Sequence, residues 1–130
     1  MDTYTVEFRI EGLSLVPSEV TKTLELIPSL TSAYQANKNR KPFWGYDGVS
    51  SENNFIERKW LSLEEGLEFV LDKLLPKNEL IKSEFSQYKT YLWCAHFQES
   101  FNGGPRFSPK LLKKLSDFDT EVIIKTHYCV

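Results

Sequence analysis

The chain has 130 residues, a length that lets one domain bury a core without disulfide staples, with nine Phe, six Tyr and three Trp to fill it. Sixteen basic and eighteen acidic side chains sum to −2, a mixed balance that argues against disorder and against a polyanion-binding protein, so nucleic acid is not an expected partner. The first residues lack a signal peptide's basic and apolar regions, and no apolar run reaches bilayer length. Two cysteines are too few for a disulfide framework, and a reducing cytoplasm is the expected home.

Residues 3–11 alternate, Tyr4, Val6, Phe8 and Ile10 on one side and Thr3, Thr5, Glu7, Arg9 and Glu11 on the other. That is a half-buried strand, in a sheet covered on one face and partly open on the other. Pro17 suits a helix's first turn; Val20, Leu24 and Ile27 follow at helical spacing, Pro28 stops the helix, and an extended stretch returns around Leu30–Tyr34.

The segment from Asn37 to Gly48 gathers Lys38, Arg40 and Lys41 beside Phe43, Trp44 and Tyr46, a pairing common where a loop meets a protein partner. Trp44 stands out as its candidate anchor. The competing reading makes Phe43 and Trp44 the edge of a strand whose rings pack on the core. Glu52, Asn53 and Asn54 close a polar stretch without periodicity, and such loops in compact domains tend to be functional or disordered.

Ser62 and Glu65 have capping-box spacing ahead of a stripe of Leu63, Leu67, Val70, Leu71 and Leu74, with Glu64, Glu65, Glu68 and Asp72 facing water. Pro76 interrupts this helix, and Leu80, Ile81 and Phe85 suggest a shorter one. Residues 88–98 alternate again, here taken with Tyr91, Trp93, Ala95 and Phe97 inward. Asn102-Gly103-Gly104-Pro105 is a turn; Ser108 and Pro109 open a helix with Leu111, Leu112 and Leu115 inward; and Val122, Ile124, Thr126 and Tyr128 mark a last strand. Residues 3–36 and 88–129 thus echo each other as strand, proline-started helix and strand, joined by a loop, a strand and a central helical region.

The chain resembles the bacterial domain of unknown function 4279 family. The resemblance rests on Phe8-Arg9-Ile10 followed by Pro17-Ser18-Glu19-Val20; on Trp60-Leu61-Ser62 leading into Leu63-Glu64-Glu65; on Leu74-Leu75-Pro76-Lys77; and on Asn102-Gly103-Gly104 ahead of Phe107-Ser108-Pro109-Lys110-Leu111-Leu112. It covers nearly the whole chain, with residues 37–54 fitting least. These are caps, turns and core positions, and the resemblance implies a fold but no catalytic residues.

Every Cys and His lies in Cys94-Ala95-His96 or His127-Tyr128-Cys129. With the aromatic residues of both strands inward, Cys94, His96, His127 and Cys129 would share the opposite face and could complete a tetrahedral zinc site. The obstacle is that a strand-helix-strand crossover often leaves another strand between its ends. A duplicated two-histidine phosphoesterase would need a histidine in each half, followed two positions on by a hydroxyl, and neither condition holds.

The expected fold is α+β, a mainly antiparallel twisted sheet covered on one face by three or four helices, pseudo-duplicated or ferredoxin-like, in one domain. The expected function is non-enzymatic cytoplasmic protein binding of inhibitor or immunity type, with no cofactor, an unidentified protein partner and no membrane. Alternatives are a metal-assisted or two-histidine hydrolase, and a homo-oligomeric structural domain pairing with its twin, as a homodimer, through Leu92 and Ile123 on the open sheet face.

Overall fold

The computed structural model describes residues 1–33, 40–101 and 104–128. Among these residues five strands form one sheet: β1 (Thr3–Glu11), β2 (Leu30–Ser32), β3 (Phe43–Tyr46), β4 (Lys89–Gln98) and β5 (Glu121–Tyr128), in the order β2-β3-β1-β4-β5. The described residues also form four α-helices: α1 (Pro17–Leu24), α2 (Leu63–Leu74), α3 (Asn78–Glu84) and α4 (Pro109–Phe118). The fold is α+β with a mixed sheet, antiparallel at every pairing except β4 with β5.

Strand order distinguishes the two architectures expected. From β1 to β4 the chain runs strand, helix, strand, strand, helices, strand, and the order β2-β3-β1-β4 is that of a ferredoxin-like split β-α-β sheet. Helix α4 and strand β5 are added at the β4 edge. The echo of 3–36 and 88–129 is therefore not one unit repeated: β3 lies between β1 and β2, whereas β4 and β5 are direct neighbours. What the halves share is helix-start chemistry, with proline in the first turn of both α1 and α4.

The core forms on one face. Tyr4, Val6, Phe8 and Ile10 of β1 are buried and meet Val20 and Leu24 of α1, the Leu63–Leu74 stripe of α2, Ile81 of α3, and Leu111 and Phe118 of α4. Ser62 Oγ accepts the Glu65 N–H at 3.4 Å and Ser108 Oγ accepts the Leu111 N–H at 3.1 Å, so both serines cap helix starts, while among the described residues the Glu65 side chain makes no return bond and the capping box is half formed. Two sequence expectations change at the helix ends. Helix α1 stops before Pro28, at Glu25 in a left-handed conformation, which leaves Ile27 exposed; Leu112 faces outward and Phe118 takes the inward position.

The largest correction concerns β4. Register against β1 places Leu92, Cys94 and His96 beside Phe8, Val6 and Tyr4 on the helix-covered face, and puts Tyr91, Trp93, Ala95 and Phe97 with Arg9, Glu7, Thr5 and Thr3 on the other. Both faces of β4 carry apolar residues, so alternation alone left its orientation undecided; pairing with β1 decides it.

Helix α2 comes close to the sheet because position 66 is glycine. A Cβ there would lie 2.7 Å from Trp60 Cδ1 and 3.0 Å from Val6 Cγ2, with Trp60 itself pinned by two backbone hydrogen bonds to Tyr4. Gly66→Ala is expected to destabilise the protein by about 1–3 kcal/mol through overpacking, despite alanine's better helix propensity. Urea denaturation measures this, and an unchanged or higher midpoint would contradict the close approach.

Candidate functional site

The open face is organised around Arg9. Its guanidinium carbon sits 5.1 Å from the Trp93 ring centroid and 5.6 Å from that of Phe43, and its Nε donates to Glu7 Oε1 at 2.6 Å. Glu7 Oε2 in turn accepts from Ser29 Oγ at 2.7 Å, which ties the pair to the segment entering β2. The partial burial of Arg9 disfavours its charge, yet the Glu7 hydrogen bond and carboxylate, helped by Tyr91, outweigh that and raise its pKa. Gly45 makes room for this arrangement, since a Cβ there would come within 2.9 Å of the Glu7 carboxylate.

Beside this row the sheet is interrupted. Tyr46 of β3 faces Phe8 of β1, and the next strand-like partner of β1 is Trp60 at Tyr4, so residues 47–59 loop out between the two pairings. The Tyr4–Trp60 hydrogen bonds fix the even residues of β1 as those whose N–H and C=O point to the β3 side. At Val6 that side holds no strand, and among the described residues neither group has a backbone partner. The loop arches over the gap and encloses a cleft of about 210 Å³, lined from the sheet by Val6, Glu7, Arg9 and Trp93 and from the loop by Ile56 and Arg58 among others.

Local chemistry builds the loop. Asp47 Oδ1 accepts from the N–H groups of Val49 (2.8 Å) and Ser50 (2.7 Å), and Gly48 takes a φ of 80° that other residues rarely adopt. Ser50 Oγ accepts from Ile56 N and donates to Ile56 O, while Ser51 and Asn54 exchange backbone bonds. Farther on, Lys59 reaches the Phe97 ring and Arg58 lies 4.2 Å from the centroid of Trp60. Phe55 remains 78% exposed at the mouth of the cleft.

Charges in the cleft are unevenly satisfied. Glu7 is held by Arg9 and Ser29, Asp47 by backbone donors and Glu57 by Lys59 at 3.2 Å. Arg58 has no carboxylate partner among the described residues and is exposed. Among the described residues the site therefore offers a guanidinium without a carboxylate, an exposed aromatic ring and a backbone donor and acceptor without backbone partners, a set suited to non-covalent recognition.

The residues expected from sequence to bind a partner are divided by strand alternation. Lys38 lies outside the described residues. Arg40 and Lys41 are exposed, and Phe43 is half-buried beneath Arg9 on the open face. Trp44 and Tyr46 project to the other face, stacked at 5.9 Å, and Trp44 is 0% exposed with its Nε1 donating to Thr21 Oγ1 at 3.0 Å. Trp44 is thus a core residue instead of a contact anchor. In the sequence Arg9 reads as one more polar residue of the β1 alternation, and Trp93, Phe55 and Arg58 carry no local signal that links them to it, because these neighbours come from distant segments.

The Cys/His set is not brought together either. Strands β4 and β5 are neighbours, so no intervening strand separates the two pairs, but Cys94 and His96 face the helices whereas His127 stacks on Phe97 at 5.4 Å on the open face. Cys129 lies outside the described residues. His96 is buried against Tyr4, and its Nε2 meets Asp2 Oδ2 at 3.0 Å. Asp2 also accepts the backbone N–H groups of Glu99 and Ser100, and these bonds, the Glu99 N–H first and His96 next, lower its pKa. This cluster ties the start of β1 to the end of β4.

Burial pushes the Cys94 thiol up to about 12. An alkylating reagent at mildly alkaline pH should leave Cys94 unmodified in the native protein and modify it after denaturation, with peptide mapping separating it from Cys129; native labelling would contradict the burial. Because only the folded state holds this proton so tightly, its contribution is complete below the ordinary thiol range and falls as pH rises above ~8.5.

No curated protein and no solved structure matches the chain. A family model does match, over residues 2–128, and it takes in β1, the cleft loop, all four helices and β5. The chain belongs to the family described as a domain of unknown function, DUF4279.

Proposed function

We propose that this protein is a non-enzymatic protein-binding domain, and that the mouth of the cleft between β1 and the 47–59 loop is its contact surface. The observation that carries this reading is the coincidence, at one opening, of an exposed Phe55 with an Arg58 that has no carboxylate partner, and a Val6 whose backbone groups have no backbone partner, among the described residues. Aromatic and arginine side chains dominate the energetics of protein contacts, and the single donor and acceptor of Val6 can hold one polar group of a partner at the gap. The partner contributes a carboxylate to Arg58 and an apolar side chain to Phe55 and Ile56.

An inhibitor or immunity-type role in a cytoplasm is the finer form of this proposal; a buried, free Cys94 is compatible with a reducing compartment. The two-histidine hydrolase loses its basis, since His96 and His127 occupy opposite faces of the sheet.

Affinity capture from the source organism, comparing wild type with a Phe55→Ser, Arg58→Glu double variant, tests the reading. A protein retained in stoichiometric amount by wild type and lost with the variant is expected, with circular dichroism confirming that both fold. Equal capture by both proteins would remove the cleft from the interface.

A further inference from the structure

Strand β5 is eight residues long, lies at the edge of the sheet, and is exposed from Ile124 to Tyr128. The direction of its free hydrogen-bonding groups follows from the pairings already described. Odd residues of β1 bond to β4, so odd residues of β4 point back to β1 and even ones point to β5. In the parallel β4–β5 ladder, Leu92 opposite Val122 then bonds to residues 121 and 123. The N–H and C=O groups of Val122, Ile124, Thr126 and Tyr128 are left facing outward.

Such an edge is a template for another strand, and proteins commonly guard it with a charged residue such as Lys125. Here the guard has a complement four residues away. If a second β5 pairs antiparallel about a two-fold axis through Ile123, Glu121 of each copy stands opposite Lys125 of the other, and Val122 stands opposite Ile124 as a hydrogen-bonded pair. All the outward groups needed are the even ones that the sheet leaves free. Sliding the register so that the axis passes through Lys125 puts two lysines opposite each other, and an axis through Ile124 sets Glu121 against His127 and removes the Glu121–Lys125 match.

We propose that β5 is a self-pairing edge, and that a second copy of this chain docks there antiparallel in the Glu121–Lys125 register to give a continuous ten-stranded sheet. The interface is isologous, as a two-fold dimer requires, so each charge pair occurs twice. It buries the Val122 and Ile124 side chains on the helix-covered side and sets Ile123 against its own copy on the open side. This surface is separate from the cleft mouth, and the inference holds independently of the cleft's role.

Sedimentation velocity of the full chain, from low micromolar to submillimolar concentration, tests it with charge reversal. Wild type should shift from monomer to dimer as concentration rises. Glu121→Lys and Lys125→Glu singly should each weaken the dimer roughly tenfold or more, because each places like charges opposite at two positions. The double variant E121K/K125E should restore wild-type dimerisation, which a general effect of surface charge would not do. An Ile124→Pro variant, which removes an outward N–H but no β4 bond, should be monomeric with its circular dichroism spectrum kept. A wild type that stays monomeric throughout, or a double variant as weak as the singles, would overturn the proposal.

Discussion

The structure depends on the alternation of β1. This strand is central, paired on one side with β4 over its whole length and on the other with β3 and Trp60. Its even residues, Tyr4, Val6, Phe8 and Ile10, are apolar and draw all four helices to one face; its odd residues, Thr3, Thr5, Glu7, Arg9 and Glu11, are polar and leave the other face to a loop. A one-residue slip would exchange the two sets, burying an arginine and two glutamates, so the register is strongly enforced.

The polar face is held by different means from the apolar one. Glu7 lies flat over Gly45, bridges Arg9 to Ser29 and so fastens β1 to the entry of β2 across β3. Arg9 keeps its charge between two aromatic rings because the Glu7 carboxylate and Tyr91 compensate for lost water. Trp93 is thereby fixed as one wall of the cleft. The 47–59 loop is fixed by its own Asp47 and Ser50 bonds, so its cleft-side residues are presented on a supported frame.

Where local rules act alone, the sequence was legible. Alternation placed β1, serine caps placed α2 and α4, first-turn prolines placed α1 and α4, and Pro76 marked the short 3₁₀ turn between α2 and α3. The orientation of β4 was not legible, because Tyr91, Leu92, Trp93, Cys94, Ala95 and Phe97 offer an apolar residue to either face and only pairing with β1 chooses. The same limit hid the site: Trp44 reads as a loop anchor beside Arg40 and Lys41, yet strand β3 turns it inward under Thr21. Arg9, Phe55, Arg58 and Trp93 meet through tertiary folding, which no local period encodes.

Amide hydrogen exchange along β1, read residue by residue by NMR in the monomeric protein, tests this account most directly. Phe8 and Tyr4 should be strongly protected by Tyr46 and Trp60, as should the odd residues bonded to β4, while the Val6 amide between them exchanges faster by orders of magnitude, since it faces the cleft and has no backbone partner among the described residues. Uniform protection from Tyr4 to Ile10 would mean that the 47–59 segment pairs with β1 and closes the gap, and the cleft on which the binding surface rests would not exist.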